Sequence, residues 1–289
     1  TQSRSSAASD VYKRQVVLVV VDGLRPDAVQ LVHSPHIDHL MDTGAHTLTA
    51  RSVTPSITLP AHMSAFYSVE PSRHGVLDNH PRPAPPTQPG LLEQLALHGR
   101  RAGTVFSWEP LRHLGAAGSL TISHFHRLDL TNLADADHPV VDVAVPLIGS
   151  GWLDFLFVYL GATDEVGHEH GWMTDEYLLQ IEITDGQIGR LVAALGDGDV
   201  ILVSSDHGGH DRGHGTDSAE DMTVPLLLNG AGVRRGVELR TPVTLLDIAP
   251  TVAALLGIPA HQGWEGRVLV EALKESRFRR DGAQAGGSD

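Results

Sequence analysis

A chain of 289 residues is long enough for one large α/β domain or two small ones. Its formal charge of −14 lacks the basic footprint that nucleic-acid phosphates demand, and no run of 18 apolar residues is present to span a bilayer. Cysteine is absent, which excludes disulfides, thiolate metal sites and cysteine nucleophiles together. The 18 histidines, with the acidic residues, are the natural ligand set for a site without sulfur.

Residues 1–14 (TQSRSSAASDVYKR) are polar, with no apolar h-region and no initiator Met. Residues 1–15 are read as a disordered cloning or assembly scar on a truncated gene. A cytoplasmic location is the default expectation because no signal peptide is visible, although a genuine leader would be lost with such a start. The run VVLVVV at 16–21 is continuous and β-branched, the pattern of a fully buried strand in a parallel sheet, and it ends in Asp22-Gly23. Ser34-Pro35 predicts a helix start by cap and first-turn proline, with Gly44 as its end. A second helix is expected after Thr58, opened by Leu59-Pro60. Five prolines in 81–89 demand a loop. A helix follows at 90–98 and a strand at 102–106, whereas 107–134 is expected to carry a small variable insertion. A buried strand is predicted at 153–160, a helix at 177–195, strands at 200–203 and 224–228, and a helix at 243–256. The fold class is therefore α/β, an open, mostly parallel sheet between helices. It forms one domain over 16–272, with a C-terminal tail from 273 to 289.

Ligands in such sheets bind beyond the carboxyl ends of the strands. Three predicted strands lead to metal-ligand residue types there: Asp22, Asp164 and Asp206-His207. An Asp after a strand is commonly a turn residue or a helix cap, so each is weak alone; the three together are not. Asp164 and His168 stand four apart and share one face if DEVGH is helical. Adjacent Asp206 and His207 cannot point the same way from a strand, so they reach different metals or sit in a turn. His214 lies between glycines, and His210 competes with it for the same role. Thr58 precedes a helix whose free N–H groups favour an oxyanion or phosphate, the plainer alternative being a simple N-cap. Two metals about 4 Å apart can clamp an in-line displacement at such a nucleophile.

With these residues assembled, the chain resembles the alkaline phosphatase superfamily, and within it the nucleotide pyrophosphatase/phosphodiesterase branch. The resemblance rests on VVLVVVDGLRPDAV, SVTPSITLPAHMSAFYSVEPSRHGVLDN, YLGATDEVGHEHG, VSSDHGGHDRGHG and TPVTLLDIAPTVAALLGIPAHQGWEGR, from about residue 16 to 268. It implies a nucleophilic Thr58 sharing one zinc with Asp22, Asp206 and His207. Asp164, His168 and His214 would bind the other zinc, which favours His214 over His210. Asn79, after HGVLD, would contact phosphoryl oxygens; its plain alternative is a turn residue.

The implied activity is a two-metal hydrolase of phosphate esters, most naturally phosphodiesters or nucleotide pyrophosphates, through a phospho-threonine intermediate. The metals would be Zn2+, with Mn2+ the alternative. Two departures weigh against a nucleotide substrate. The nucleophile motif reads ITLPAH rather than KTFPNH, and the chain leaves little room for a nucleotide pocket. The alternatives are a phosphomonoesterase, for which Arg25 or Arg212 would supply the extra cation, and a phosphonoacetate hydrolase-like C–P hydrolase. The latter would need Arg112, His124, His126 or Arg127 for a substrate carboxylate. A metal-stabilised module without catalysis is a third class, disfavoured because every ligand and the nucleophile are present. A sulfatase is disfavoured because Thr58 stands where that chemistry needs a Cys or Ser. The only partner the sequence points to is a small phosphate ester or phosphonate, and oligomeric state is not legible.

Overall fold

The computed structural model describes residues 14–80 and 88–274. The expectations for the leader, for most of the proline-rich loop and for the tail beyond 274 fall outside the described residues. Among the described residues, eight strands, β1 Val16–Val21, β2 Ala45–Arg51, β3 Ala102–Phe106, β4 Ile122–Phe125, β5 Phe155–Leu160, β6 Val200–Ser204, β7 Thr223–Gly230 and β8 Val237–Glu238, form one sheet. Their spatial order is β4-β3-β5-β1-β6-β7-β2-β8. The five strands from β4 to β6 are parallel, and β7 runs antiparallel to both neighbours. The mostly parallel α/β sheet expected from the sequence is the fold observed.

The helices are α1 Pro26–Val29, α2 Pro35–Thr43, α3 Thr58–Tyr67, α4 Pro71–His74, α5 Leu91–Leu97, α6 His138–Ser150, α7 Ala162–His170, α8 Asp175–Ala193, α9 Ala219–Met222 and α10 Ile248–Leu255. They cover both faces, and β1 explains why. Val16, Leu18 and Val20 enter a core that contains α3, α5 and α10, while Val17, Val19 and Val21 enter a second core built with α2, α6 and α8. A strand buried on both faces has no need of polar alternation, hence the unbroken apolar run. Each such side chain contributes roughly 1.5–3 kcal/mol by leaving water.

Several local expectations are corrected. Ser34 occupies the N-cap position of α2, but its hydroxyl donates to the Val29 carbonyl; the Asp185 carboxylate of α8 accepts from the His36 and Ile37 amides instead. The helix expected from 243 starts at Ile248, because Leu245–Asp247 form a 3-10 turn closed by the Thr244–Asp247 capping box. Within 107–134, residues 122–125 join the sheet as edge strand β4. Thr58 is the first residue of α3 and Ile57 holds the N-cap, so Thr58 does not cap the helix. Strands β5, β1 and β6 are adjacent and parallel, so their carboxyl ends meet at the centre of one sheet edge.

Candidate metal centre

The first acidic ligand candidate leaves β1 directly. Asp22 is 1% exposed, and the chain then turns at Gly23 with φ +68°. A Cβ at Gly23 would lie 3.1–3.2 Å from atoms of Asp164, so backbone and space both demand glycine. The Gly23 carbonyl accepts from Trp172 Nε1 (2.9 Å) and the Tyr177 hydroxyl (2.7 Å), which fixes the turn.

Asp206 and His207 follow the end of β6, and there the backbone bends, so neighbours in sequence reach one place. Of the two arrangements open to them, the turn is the one adopted. His207 Nε2 lies 3.2 Å from Asp22 Oδ1, 3.2 Å from Thr58 Oγ1 and 3.5 Å from Asp206 Oδ2. Asp206 Oδ1 accepts from the His207 amide (3.0 Å) and the Gly23 amide (3.3 Å). Thr58 is buried at the head of α3.

DEVGH is helical, as expected, within α7. Asp164 Oδ2 lies 3.4 Å from His168 Nε2, and Asp164 Oδ1 lies 3.7 Å from His214 Nε2. Two clusters result, each with its ligand atoms within 4.8 Å of one another: Asp164, His168 and His214, and Asp22, Asp164 and His207. Asp164 belongs to both.

His210 is elsewhere. Its Nδ1 lies 2.7 Å from Oδ1 of the fully buried Asp221, whose other oxygen accepts from Thr216 N and Oγ1. The pair holds the loop that carries His214. Arg25 is fork-bonded to Asp27, and its Nη1 donates to the Gly209 carbonyl at 2.9 Å. Its charge is thus committed to the loop, as a brace for residue 209. Arg212 is exposed and contributes its carbonyl to His168. Asn79 Oδ1 accepts from the Leu59 amide at 2.9 Å, which puts its side chain beside the first turn of α3.

The imidazoles share one arrangement. Nδ1 of His207 faces the Gly208 carbonyl (2.8 Å), that of His214 the Ser56 carbonyl (2.9 Å) and that of His168 the Arg212 carbonyl (3.0 Å). A carbonyl can only accept, so each Nδ1 carries the proton and each Nε2 turns inward. Facing them, Asp22 Oδ1, Asp164 Oδ1 and Asp206 Oδ2 are buried with no hydrogen-bond partner among the described residues. Buried carboxylate oxygens without partners are costly unless a cation meets them. This donor set, oxygen and imidazole nitrogen with no sulfur, fits divalent cations.

The electrostatics agree. Burial, then the charges of Asp164 and Asp206, push Asp22 well above the carboxylate range. Burial and then Asp164 raise Asp206 to about 8. Burial also acts upward on Asp164, but the His168 hydrogen bond and the charges of His207 and His214 outweigh it and hold the carboxyl low. The Asp164 hydrogen bond lifts His168 to about 9, whereas burial and then His207 depress His214 to about 4.

Three supporting residues escaped the sequence reading. The Tyr159 hydroxyl on β5 donates to Asp22 Oδ2. His62, one turn beyond Thr58, bonds the Thr58 carbonyl through Nδ1 (2.8 Å), lies 3.4 Å from Asp206 Oδ2 and sits edge-on to Phe157 and Tyr159. Buried Asp137 accepts from the Gly161 (2.9 Å) and Ala162 (3.2 Å) amides, at the N-terminus of the helix bearing Asp164 and His168. The i,i+4 spacing of Thr58 and His62 was a usable signal; the other two contacts join distant segments.

Two family models match this chain. "Metalloenzyme superfamily" covers residues 128–260, and "Type I phosphodiesterase / nucleotide pyrophosphatase" covers residues 16–86. Among curated proteins, the catalytic subunit of human GPI ethanolamine phosphate transferase 3 is 26% identical over 89% of this chain and 26% of its own length. Zebrafish arylsulfatase K is 40% identical over 31% of this chain and 19% of its own. Phosphopentomutase of Herpetosiphon aurantiacus is 27% identical over 61% of this chain and 42% of its own. The chain thus spans from under a fifth to about two fifths of these relatives. In fold, it is similar to murine ectonucleotide pyrophosphatase/phosphodiesterase 5, solved as an inactive variant with AMP, at TM-score 0.76 and 14% identity over 90% of this chain and all of that one. It is also similar to the phosphonate monoester hydrolase of Silicibacter pomeroyi, at TM-score 0.72 and 15% identity over 90% of this chain and 76% of that one.

Proposed function

We propose that this chain is a member of the alkaline phosphatase superfamily and a metal-dependent hydrolase of phosphate esters working through a phospho-Thr58 intermediate. Phosphodiesters or nucleotide pyrophosphate-type compounds are its first substrate class. One observation carries the reading: three buried, unpartnered carboxylate oxygens face three imidazoles whose Nδ1 protons are all spent on backbone carbonyls.

Asp22, Asp206, His207 and Thr58 would hold one cation, and Asp164, His168 and His214 the other, with Zn2+ the preferred metal and Mn2+ the alternative. When bound, the cations would neutralise charge on the phosphoryl oxygens and lower the pKa of the Thr58 hydroxyl. Thr58 Oγ1 bonds to phosphorus while the bond from phosphorus to the leaving oxygen breaks, and the hydroxyl proton passes out to that oxygen through solvent. Water then cleaves the Thr58 ester, restoring the hydroxyl and releasing the phosphoryl product. The first turn of α3 presents its positive dipole end at Thr58. Asn79 has its carbonyl oxygen spent on Leu59, which leaves its NH2 group to donate to a phosphoryl oxygen.

Sulfate-ester chemistry is disfavoured despite the arylsulfatase match, because the nucleophile position holds Thr58 and the chain contains no cysteine. The test is turnover of a panel of phosphomonoesters, phosphodiesters and phosphonates, with metal analysis on the same sample. Thr58→Ala is expected to abolish turnover with metal content nearly unchanged. Turnover retained by Thr58→Ala defeats the covalent mechanism. A C–P hydrolase would instead release phosphate from phosphonoacetate.

A further inference from the structure

We propose that a cavity beyond the carboxyl ends of β3 and β4 receives one organic substituent of the substrate, and that it is built for a flat, apolar substituent bearing an anionic group such as a carboxylate. This rests on the phosphoryl-hydrolase reading and names the substrate class of that site.

The cavity has a volume of about 370 Å3 and is lined by Ser107, Trp108, Glu109, Phe125, Arg127 and Glu165, among others, the Glu109 carboxylate being paired with Arg112. Strands β3, β4 and β5 are parallel, so the segments after Phe106 and Phe125 emerge at the same sheet edge as Asp22 and Asp206. Glu165 follows Asp164 on α7, and Leu130 and Glu165 line a smaller adjoining cavity together with His168. The two cavities share Leu130 and Glu165 as walls, and the smaller one reaches His168 of the candidate metal centre.

Its walls are chemically specific. Half-buried Trp108 and Phe125 offer ring surface to a flat group. Ser107 Oγ, in a residue only 4% exposed, has no hydrogen-bond partner among the described residues, a deficit that a bound polar atom would relieve. Two arginines stand near, and they differ. Arg112 lies 5.7 Å over the Phe125 ring, but its charge is met by Glu109 at 3.2 Å. Arg127 makes no hydrogen bond or ion pair with any described residue and remains the free cation of the cavity. Glu165 makes the metal-side wall negative, so an anionic substituent is repelled there and is met at the Arg127 end. A cationic substituent would face Arg127 and is disfavoured.

The metal-loaded protein is assayed on 4-carboxyphenyl and 4-carbamoylphenyl phosphate esters, which are similar in shape and differ in charge. An exposed cation of this kind gives about a five-fold preference in kcat/KM for the carboxylate. Arg127→Gln should remove the preference and Arg127→Glu should invert it, read as the ratio of kcat/KM for the two esters in each variant. Trp108→Ala should raise KM for both esters without changing their ratio. A wild-type ratio near one, or a ratio unaltered by Arg127→Gln, overturns the inference. Calorimetric binding of 4-carboxyphenyl and 4-carbamoylphenyl phosphonates supplies a readout independent of turnover. If these bind with the carboxylate preference while no ester is hydrolysed, the hydrolase reading fails and the cavity assignment stands. If esters are hydrolysed without preference, the cavity assignment fails alone.

Discussion

His207 and His214 lie face to face, with ring centroids 3.7 Å apart and planes inclined by 13°. Two imidazolium rings would repel at that distance, so the stack does not hold two charged rings, in keeping with the depressed pKa of His214. Each ring is pinned by its Nδ1 to a backbone carbonyl, and the two Nε2 atoms serve different neighbours. That of His207 faces Asp22 and Thr58; that of His214 faces Asp164. The stack is a shared wall between the two ligand clusters.

The two candidate histidines of the GGHDRGHG loop should behave differently when removed. His214→Ala is expected to leave one cation per chain, measured by elemental analysis after gel filtration. His210→Ala should retain both cations but lose about 1 kcal/mol of stability, because buried Asp221 forfeits a partner. Equal metal loss in the two variants would remove the distinction.

Metal binding should release protons. Without metal, Asp206 titrates at about 8 and His168 at about 9, and Asp22 is raised in the same direction. Cations bind the deprotonated carboxylates and the neutral imidazole. Apparent affinity is therefore expected to climb between about pH 7 and 9 and then level off. Titration of the metal-free protein in weak buffer near pH 7 should acidify the solution, and an unchanged pH would contradict the assigned ligands.

Asp137 should couple helix α7 to stability. Burial raises its pKa to about 7, while its two oxygens cap the helix. A carboxyl raised in the folded state contributes stability that is complete below its unfolded value and fades as pH rises through about 7. Asp137→Asn keeps one acceptor and should flatten that part of the melting profile. Asp137→Ala should cost about 1–2 kcal/mol and weaken the metal retained by Asp164 and His168. Melting curves between about pH 4 and 8 decide it.

Tyr159→Phe would leave Asp22 Oδ2 buried without its hydroxyl donor. The expected cost is about 1–3 kcal/mol in the metal-free protein. Dialysis against graded chelator should show earlier metal loss than in the wild type; identical retention would mean the hydroxyl does not orient Asp22.

Much of the fold was legible because local chemistry and tertiary context agree. The VVLVVV run can only be a doubly buried strand, and β1, β3 and the span of α2 fall where the pattern put them. What failed to read was whatever lacked a period of its own. Strand β2 (AHTLTAR) is half-polar, and β4 (ISHF) borrows its stability from β3 as an edge. Helix α6 carries Pro146 inside it, which argues against a helix on local grounds and is tolerated by packing.

The sequence by itself determined the candidate ligand types, their order and the nucleophile candidate, because Asp22, Thr58, Asp164, Asp206 and His207 are chemically apt residues at strand ends or helix starts, with His168 four residues after Asp164 and His214 between glycines. It could not choose between His210 and His214 by position, since both sit in one glycine-rich loop. In the tertiary structure His210 lies against Asp221 and His214 against His207 and Asp164, and the proposed choice of His214 rests on that placement. The tertiary structure alone made Asp164 common to both clusters, and it alone recruited Tyr159, His62 and Asp137. Those contacts depend on strands β5, β1 and β6 lying side by side, and strand order is written in long-range packing rather than in any local run of residues.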